Sequence, residues 1–402
     1  GSTLASLVVI SGGGSVGQYG PLVHFGSTIG LFIKNFFKLK MSPDIFIGCG
    51  VAAAIAAGFN APLAGILFAH EAILRHFSLR AIAPISISSF SASAFGEYFF
   101  GNSPALFELS QQVPPLNEVL PILILLGPAF AIITVCFMIA LRAASKFAVL
   151  NERYKIFLPF IAALVCGSVG VFLPEIMGLG IGAINDLIAG NISLTKVSML
   201  LIAKISMTAL CIGFGLFGGI FSPALFIGVS AGSIAAGFFT AIGYTDLTQV
   251  IIISGMAAVA ASVIGAPITS VLIVLELTGS YEYGVAAMVA VIISSLVTYR
   301  AFGLSFFDRQ LLDRGIDMRQ GRESIALSQR LVSSCEQMAF VKLAAGTTGR
   351  QAYQLMKDSS TVESYVVNEA GEYVGKLDIF GAISASEEPV DKFLLEEPTI
   401  LL

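Results

Sequence analysis

Two short patterns, each present twice, are the residues best suited to chemistry in this chain. Gly17-Gln18-Tyr19-Gly20-Pro21, followed by Gly26 and Gly30, returns 202 positions later as Gly219-Ile220-Phe221-Ser222-Pro223 with Gly228 and Gly232. In both copies glycines precede a proline that opens an apolar helix, where proline sacrifices no hydrogen bond. The glycines let the main chain bend and come close to a ligand. The unpaired amides and the helix dipole then present partial positive charge. Two such helix starts facing each other would solvate a small anion without burying a lysine or arginine. The second pattern, Gly50…Ala61-Pro62…Glu71, returns 205 positions later as Gly255…Ala266-Pro267…Glu276. An acid inside an apolar segment is a functional candidate by default. For Glu71 the expected partners are Arg75 or Arg80.

Other chemistries find little support. Gly12-Gly13-Gly14-Ser15-Val16-Gly17 fits G-x-G-x-x-G, but lacks a βαβ context and a ribose-binding acid. His70 and His76 do not share a helix face, and His24 stands alone, so packing roles are expected rather than metal. The five cysteines (Cys49, Cys136, Cys166, Cys211, Cys335) show no paired spacing. No nucleophile, metal set or acid pair is assembled, so the chain is not expected to be an enzyme or to hold a metal or a cofactor. A net charge of −4 without a basic cluster argues against nucleic acid.

The elements that must position these residues are membrane helices. The chain is 56% hydrophobic and 12% charged, with a mean hydropathy of +0.87, values foreign to an ordinary soluble protein. Residues 1–304 hold 12 Lys/Arg and 11 Asp/Glu, whereas residues 305–402 hold 10 and 15. An integral membrane domain is therefore expected first, over 1–315, and a water-soluble appendage over 316–402. Apolar segments fall near 22–37, 45–58, 62–79, 81–100, 120–141, 157–173, 197–213, 223–242, 249–263, 267–279 and 284–303. Several are shorter than the roughly 20 residues that span a bilayer, which predicts a packed body of tilted and half-spanning helices. Glycine and alanine crowding at 51–58 and 255–261 suits close helix contacts. The 101–118 linker carries only acids, Glu108 and Glu118, whereas the next connection carries Arg142, Lys146, Arg153 and Lys155; the first is expected outside and the second in the cytoplasm. An odd number of crossings in each half would make the repeats inverted. Glu282 and Tyr283 are placed in a loop. In the tail, a helix over 348–357, a strand over 364–368, a turn at Gly371 and a strand over 373–377 form a small β-α-β-β unit if a strand precedes them. The stretch 390–402 reads as the start of a second unit.

The segments Gly17 to Gly26 (GQYGPLVHFG), Phe59 to Phe68 (FNAPLAGILF) and Gly218 to Leu225 (GGIFSPAL) resemble the signatures of the CLC family of chloride channels and proton/chloride antiporters. The resemblance covers residues 1–315. It implies an all-α, polytopic inverted-repeat bundle, a homodimer with one pore per subunit, and a multi-pass position in the cell membrane, the inner membrane if bacterial. The cytoplasmic tail, over 333–402, is similar to a truncated CBS pair. A dimer-supporting role is the default for it, with adenine nucleotide sensing the alternative. Carried over by position, amides near Tyr19, Gly20, Ile220 and Phe221 hold the anion. Phe307, within Ser305-Phe306-Phe307-Asp308, takes the place of a pore tyrosine and has no hydroxyl to donate.

Two departures bear on mechanism. The family's external gate is a glutamate where this chain has Tyr19, usually after a basic residue where this chain has Gln18. Tyrosine, with a reference pKa of about 10, stays neutral at neutral pH, so it neither takes the anion's place nor shuttles a proton as a carboxylate does. The internal proton-transfer glutamate falls at Ala72, beside Glu71. Passive, uncoupled movement of chloride or a similar anion is therefore expected, with Tyr19 either plugging the path or offering its hydroxyl to the ion. The alternatives are proton/chloride exchange through a substitute such as Glu71, or a non-conducting regulatory protein. The family's upstream helices, with a serine-bearing inner anion signature, fall before Gly1, so the chain is expected to be a fragment.

Overall fold

The structure, a computed structural model, describes residues 1–101, 109, 113–317, 341–368 and 370–394. Glu108, Cys335 and the second-unit stretch from 395 onward lie outside the described residues. Two compact units divide the chain, Gly1–Asp317 and Met318–Leu402.

Among the described residues, the first unit is built of helices. Its helices α1 (Ser2–Ser11), α2 (Tyr19–Phe36), α3 (Pro43–Phe59), α4 (Pro62–Phe68) and α5 (Leu79–Phe100) make up the first repeat. Helices α6 (Leu116–Leu150), α7 (Leu158–Phe172) and α8 (Ile181–Ile188) follow. The second repeat runs through α9 (Leu194–Gly213), α10 (Phe221–Ala241), α11 (Thr248–Ile264), α12 (Pro267–Thr278) and α13 (Tyr281–Phe302), ending with α14 (Phe306–Asp313). Among the described residues, four helical stretches are long and apolar enough to cross a membrane: 116–150, 194–213, 221–241 and 281–313. Shorter apolar helices, α3, α11 and α12 among them, fill the body between them. Large side chains such as Phe36, Ile87, Leu125, Phe160, Leu164 and Ile202 stay exposed on the outside of the unit, as a surface solvated by lipid tails requires.

The duplication extends to atomic packing. A side chain on Gly26 would overlap the carbonyl of Gly50, and one on Gly228 would stand 2.6 Å from the carbonyl of Gly255. Each repeat thus presses its paired helices together, α2 on α3 and α10 on α11, through the same two glycines. Each of α3 and α11 then ends on a left-handed residue, Asn60 (φ 52°) and Gly265 (φ 79°). The alanine that follows has nearly the same backbone in both, φ −130° and ψ 78° at Ala61 against −129° and 71° at Ala266. A proline then opens the next helix, α4 or α12. The repeats differ one turn later. The helix from Pro62 widens into a π-helical turn at Ala69–Leu74 and stops at left-handed Arg75 (φ 57°), whereas α12 runs regularly to Thr278.

Two placements differ from the sequence reading. Arg142 and Lys146 lie on α6 itself, because nothing from 141 to 150 breaks a helix and the residues there are good helix formers. Glu282 and Tyr283 lie in the first turn of α13, not in a loop. Ser280 caps that turn by accepting from the Tyr283 amide while its hydroxyl donates to Glu282 (2.8 Å). The short α8 was not anticipated; eight residues carry too little periodicity to stand out.

The second unit is a small α/β fold. Strand β1 (Val341–Ala344) pairs in parallel with β2 (Glu363–Val367) across the helix α15 (Gly349–Asp358), and β2 pairs antiparallel with β3 (Tyr373–Asp378). Helix α16 (Ile379–Ala385) follows, started by Asp378, which accepts from the Gly381 amide at 2.7 Å. Leu343, Met356, Val366 and Leu377 form its core.

Candidate anion site at the paired helix starts

The loops before α2 and α10 are bound directly to each other. The Gly17 amide donates to the Gly219 carbonyl at 2.7 Å, and the Gly219 amide donates back to Gly17 at 2.6 Å. Glycine is required for this approach: a side chain on Gly17 would stand 3.0 Å from both the Gly219 carbonyl and Pro223 Cδ. The first bonds closing each helix run from Leu22 to the Gln18 carbonyl (3.0 Å) and from Ala224 to the Ile220 carbonyl (2.9 Å). The amides of Tyr19, Gly20, Phe221 and Ser222 therefore occupy the open first turns. Gly20 lies against Gly219, where an added Cβ would be 3.2 Å from the Gly219 Cα. Tyr19, Gly20, Ile220 and Phe221, far apart in sequence, are thus neighbours around one point.

Tyr19 closes that point. It is 6% exposed, and its ring stacks on Phe59 at 3.9 Å and 8°. Phe221 meets the Tyr19 ring edge-on at 5.4 Å and lies 5.2 Å from Phe59. The Tyr19 hydroxyl donates to the Gly58 carbonyl at 3.1 Å. In this conformation the ring is held between Phe59 and Phe221, and the hydroxyl is engaged with main chain. Beyond Phe221, the space between Leu225, Met256, Ala260 and Ile273 is too narrow for a water molecule. Phe307 lies in the first turn of α14, 40% exposed, with its ring against Phe306 at 5.9 Å rather than in the Tyr19 cluster.

Glu71 and Ala72 sit together in the π-helical turn. Glu71 does not pair with Arg75 or Arg80 as the sequence suggested. Its carboxylate accepts from the amides of Ile268 (3.0 Å) and Thr269 (2.8 Å) and from the Thr269 hydroxyl (2.7 Å), capping α12. Arg75 instead forms an ion pair with Asp308. Glu276 mirrors the arrangement, accepting from Leu63 (2.8 Å) and Ala64 (2.7 Å) at the start of α4. Each repeat supplies the counter-charge for the other's proline-opened helix, where the dipole stabilises an anion. Such reciprocal contacts relate the halves by an approximate two-fold.

Sequence reasoning passed over two residues that the fold makes prominent. Phe59, one apolar residue of the FNAPLAGILF segment, forms the stacking platform for Tyr19. Lys204, fully buried on α9, donates to the carbonyls of Ile176 (2.8 Å) and Gly178 (3.0 Å) and lies 5.0 Å over the Phe226 ring. The signal for Lys204 was a lone lysine in an apolar segment. Among the described residues, no three His, Cys, Asp or Glu side chains are grouped to hold a metal. His70 and His76 each direct Nδ1 to a main-chain carbonyl, of His76 and Leu74.

Residues 1–299 match the family model described as voltage gated chloride channel. The chain is 31% identical over 309 residues to the H(+)/Cl(-) exchange transporter ClcA of Vibrio parahaemolyticus serotype O3:K6, covering 74% of this chain and 66% of that one. Among solved structures, it is similar to a slow cyanobacterial Cl-/H+ antiporter (TM-score 0.70, 22% identity, 80% of this chain and 74% of that one). It is also similar to a CLC-type fluoride/proton antiporter (TM-score 0.60, 24% identity, 72% and 70%). The chain therefore spans about two thirds of the length of the curated relatives it matches, and the structural likenesses establish the fold.

Proposed function

Because the chain belongs to the voltage gated chloride channel family, we propose that it moves chloride or a similarly small anion across a lipid bilayer. The observation that carries this reading is the meeting of two helix starts from duplicated segments, bonded to each other through Gly17 and Gly219, with the first-turn amides of both left open. Fixed dipoles in a water-poor setting attract an anion without a full positive charge that would bind it too tightly to leave.

For the mode of transport, the relatives weigh toward exchange of chloride for protons. Exchange requires groups that take up and release a proton, and Glu71, next to Ala72, is the candidate on the inner side. A second reading, passive movement, is favoured by the aromatic Tyr19 at the gate position and by Ala72: tyrosine holds its proton throughout the neutral range and alanine has none to exchange. Further proposals are a homodimer, a cytoplasmic tail, and for that tail a dimer-supporting role with adenine nucleotide binding as the second possibility.

Liposomes reconstituted with the full chain separate these readings. Chloride efflux above that of empty liposomes is expected. The relatives make chloride uptake driven by an imposed pH gradient the expected result, with loss of coupling in Glu71→Gln. Chloride flux indifferent to the pH gradient would assign the passive mode. Flux at the level of empty liposomes would reject transport.

A further inference from the structure

One polar group at the paired helix starts has no partner. Ser222 is the second residue of α10 and 5% exposed, and its hydroxyl is buried without a hydrogen bond. It points across the seam between the repeats: a side chain built on Gly17 would meet Ser222 Oγ at 2.9 Å. Several helical serines satisfy themselves by donating to a carbonyl one turn back, as Ser270 does to Ala266 (3.0 Å) and Ser233 to Val229 (2.9 Å). Ser222, in the first turn, has no helical carbonyl four residues behind it. The matching position in the first repeat is Gly20, so the hydroxyl is present on one side only.

A buried hydroxyl without a partner destabilises the protein. Removing it should be neutral or favourable, unless the group meets a ligand that the resting fold does not supply. It stands on the first turn of α10 beside Gly17, in the loop that leads into α2, where two helix starts present partial positive charge. We propose that the Ser222 hydroxyl is a side-chain donor to the transported anion, adding to the amides of the cradle and favouring small anions of high charge density. This rests on the anion-transport reading above. It gives the site an O–H donor where Phe307 supplies none.

The test uses the full chain purified in detergent, with chloride as the probe and gluconate as the inert anion. In gluconate, Ser222→Ala is expected to unfold at the same temperature as the parent or a higher one. The chloride concentration needed for a given rise in unfolding temperature should increase at least about fivefold, since the stabilisation depends on the ratio of ligand concentration to its dissociation constant. Ser222→Thr, which keeps a hydroxyl, should stay near the parent. Ser230→Ala removes an equally buried, unpartnered hydroxyl about two turns along α10 and should not alter the chloride dependence. In liposomes, Ser222→Ala should lower chloride flux relative to thiocyanate flux. Chloride dependence in Ser222→Ala equal to the parent's, with the parent still carrying chloride, would overturn this assignment alone. A Ser222→Ala chain that unfolds in gluconate would also overturn it, because the hydroxyl would then have a structural role. A parent that carries no anion and gains no stability from chloride would remove the transport reading together with this one.

Discussion

Tyr19 is the residue proposed as the gate. Its ring occupies the meeting point of two helix starts, held by Phe59 and Phe221 and by one hydrogen bond to Gly58. Ring and hydroxyl can be separated by mutation. Tyr19→Phe keeps the plug and removes only the bond to Gly58, which should lower stability by about 1 kcal/mol and leave anion efflux close to the parent's. Tyr19→Ala removes the ring, and liposome efflux should rise about tenfold or more if displacing the ring costs at least the 1.4 kcal/mol that a tenfold rate represents. Equal efflux from Tyr19→Ala and the parent would show that the ring does not obstruct the path. The position of Tyr19 was readable from Gly20-Pro21 beside it. Its contacts were not, because a stack between residues 40 apart leaves no mark in local spacing.

Among the elements, the proline-opened helices α4 and α12 show what duplication achieved. Glu71→Ala leaves two α12 amides and the Thr269 hydroxyl without an acceptor, and Glu276→Ala leaves two amides of α4. Each should destabilise the unit by about 2–3 kcal/mol, read as a lower denaturation midpoint in mixed micelles. Unchanged midpoints would mean that water satisfies the helix starts equally well. Lys204→Met should cost at least as much, about 3 kcal/mol, because the carbonyls of Ile176 and Gly178 lose their donor. The repeat itself was plain in Gly-x-x-x-Gly and Ala-Pro spacing, and most helix limits lie within a few residues of the apolar runs, although α6 continues nine residues past its run. The exchange of caps was not visible. Sequence placed Arg75 one turn from Glu71, and i,i+4 proximity is the only pairing a linear reading offers. The π-helical turn and the left-handed Arg75 send that arginine to Asp308 instead.

As a whole molecule, the chain is two units with separate hydrophobic cores. Removing the residues after Asp317 is therefore expected to leave the helical unit folded and its anion flux within about twofold, as for domains with independent cores. Collapse of the helical circular dichroism signal in that truncation would show that the cores depend on each other. The change from apolar to charged sequence after residue 304 anticipated two units, since charge density is a property of whole segments. The reciprocal caps also constrain how the molecule comes into being. The amides of Leu63 and Ala64 await Glu276, more than two hundred residues downstream. At ordinary translation rates the ribosome needs roughly ten to forty seconds to reach it. During that interval a freshly inserted first half carries an unneutralised helix terminus inside the bilayer, a nascent state open to rescue by lipid headgroups, by water or by an insertase.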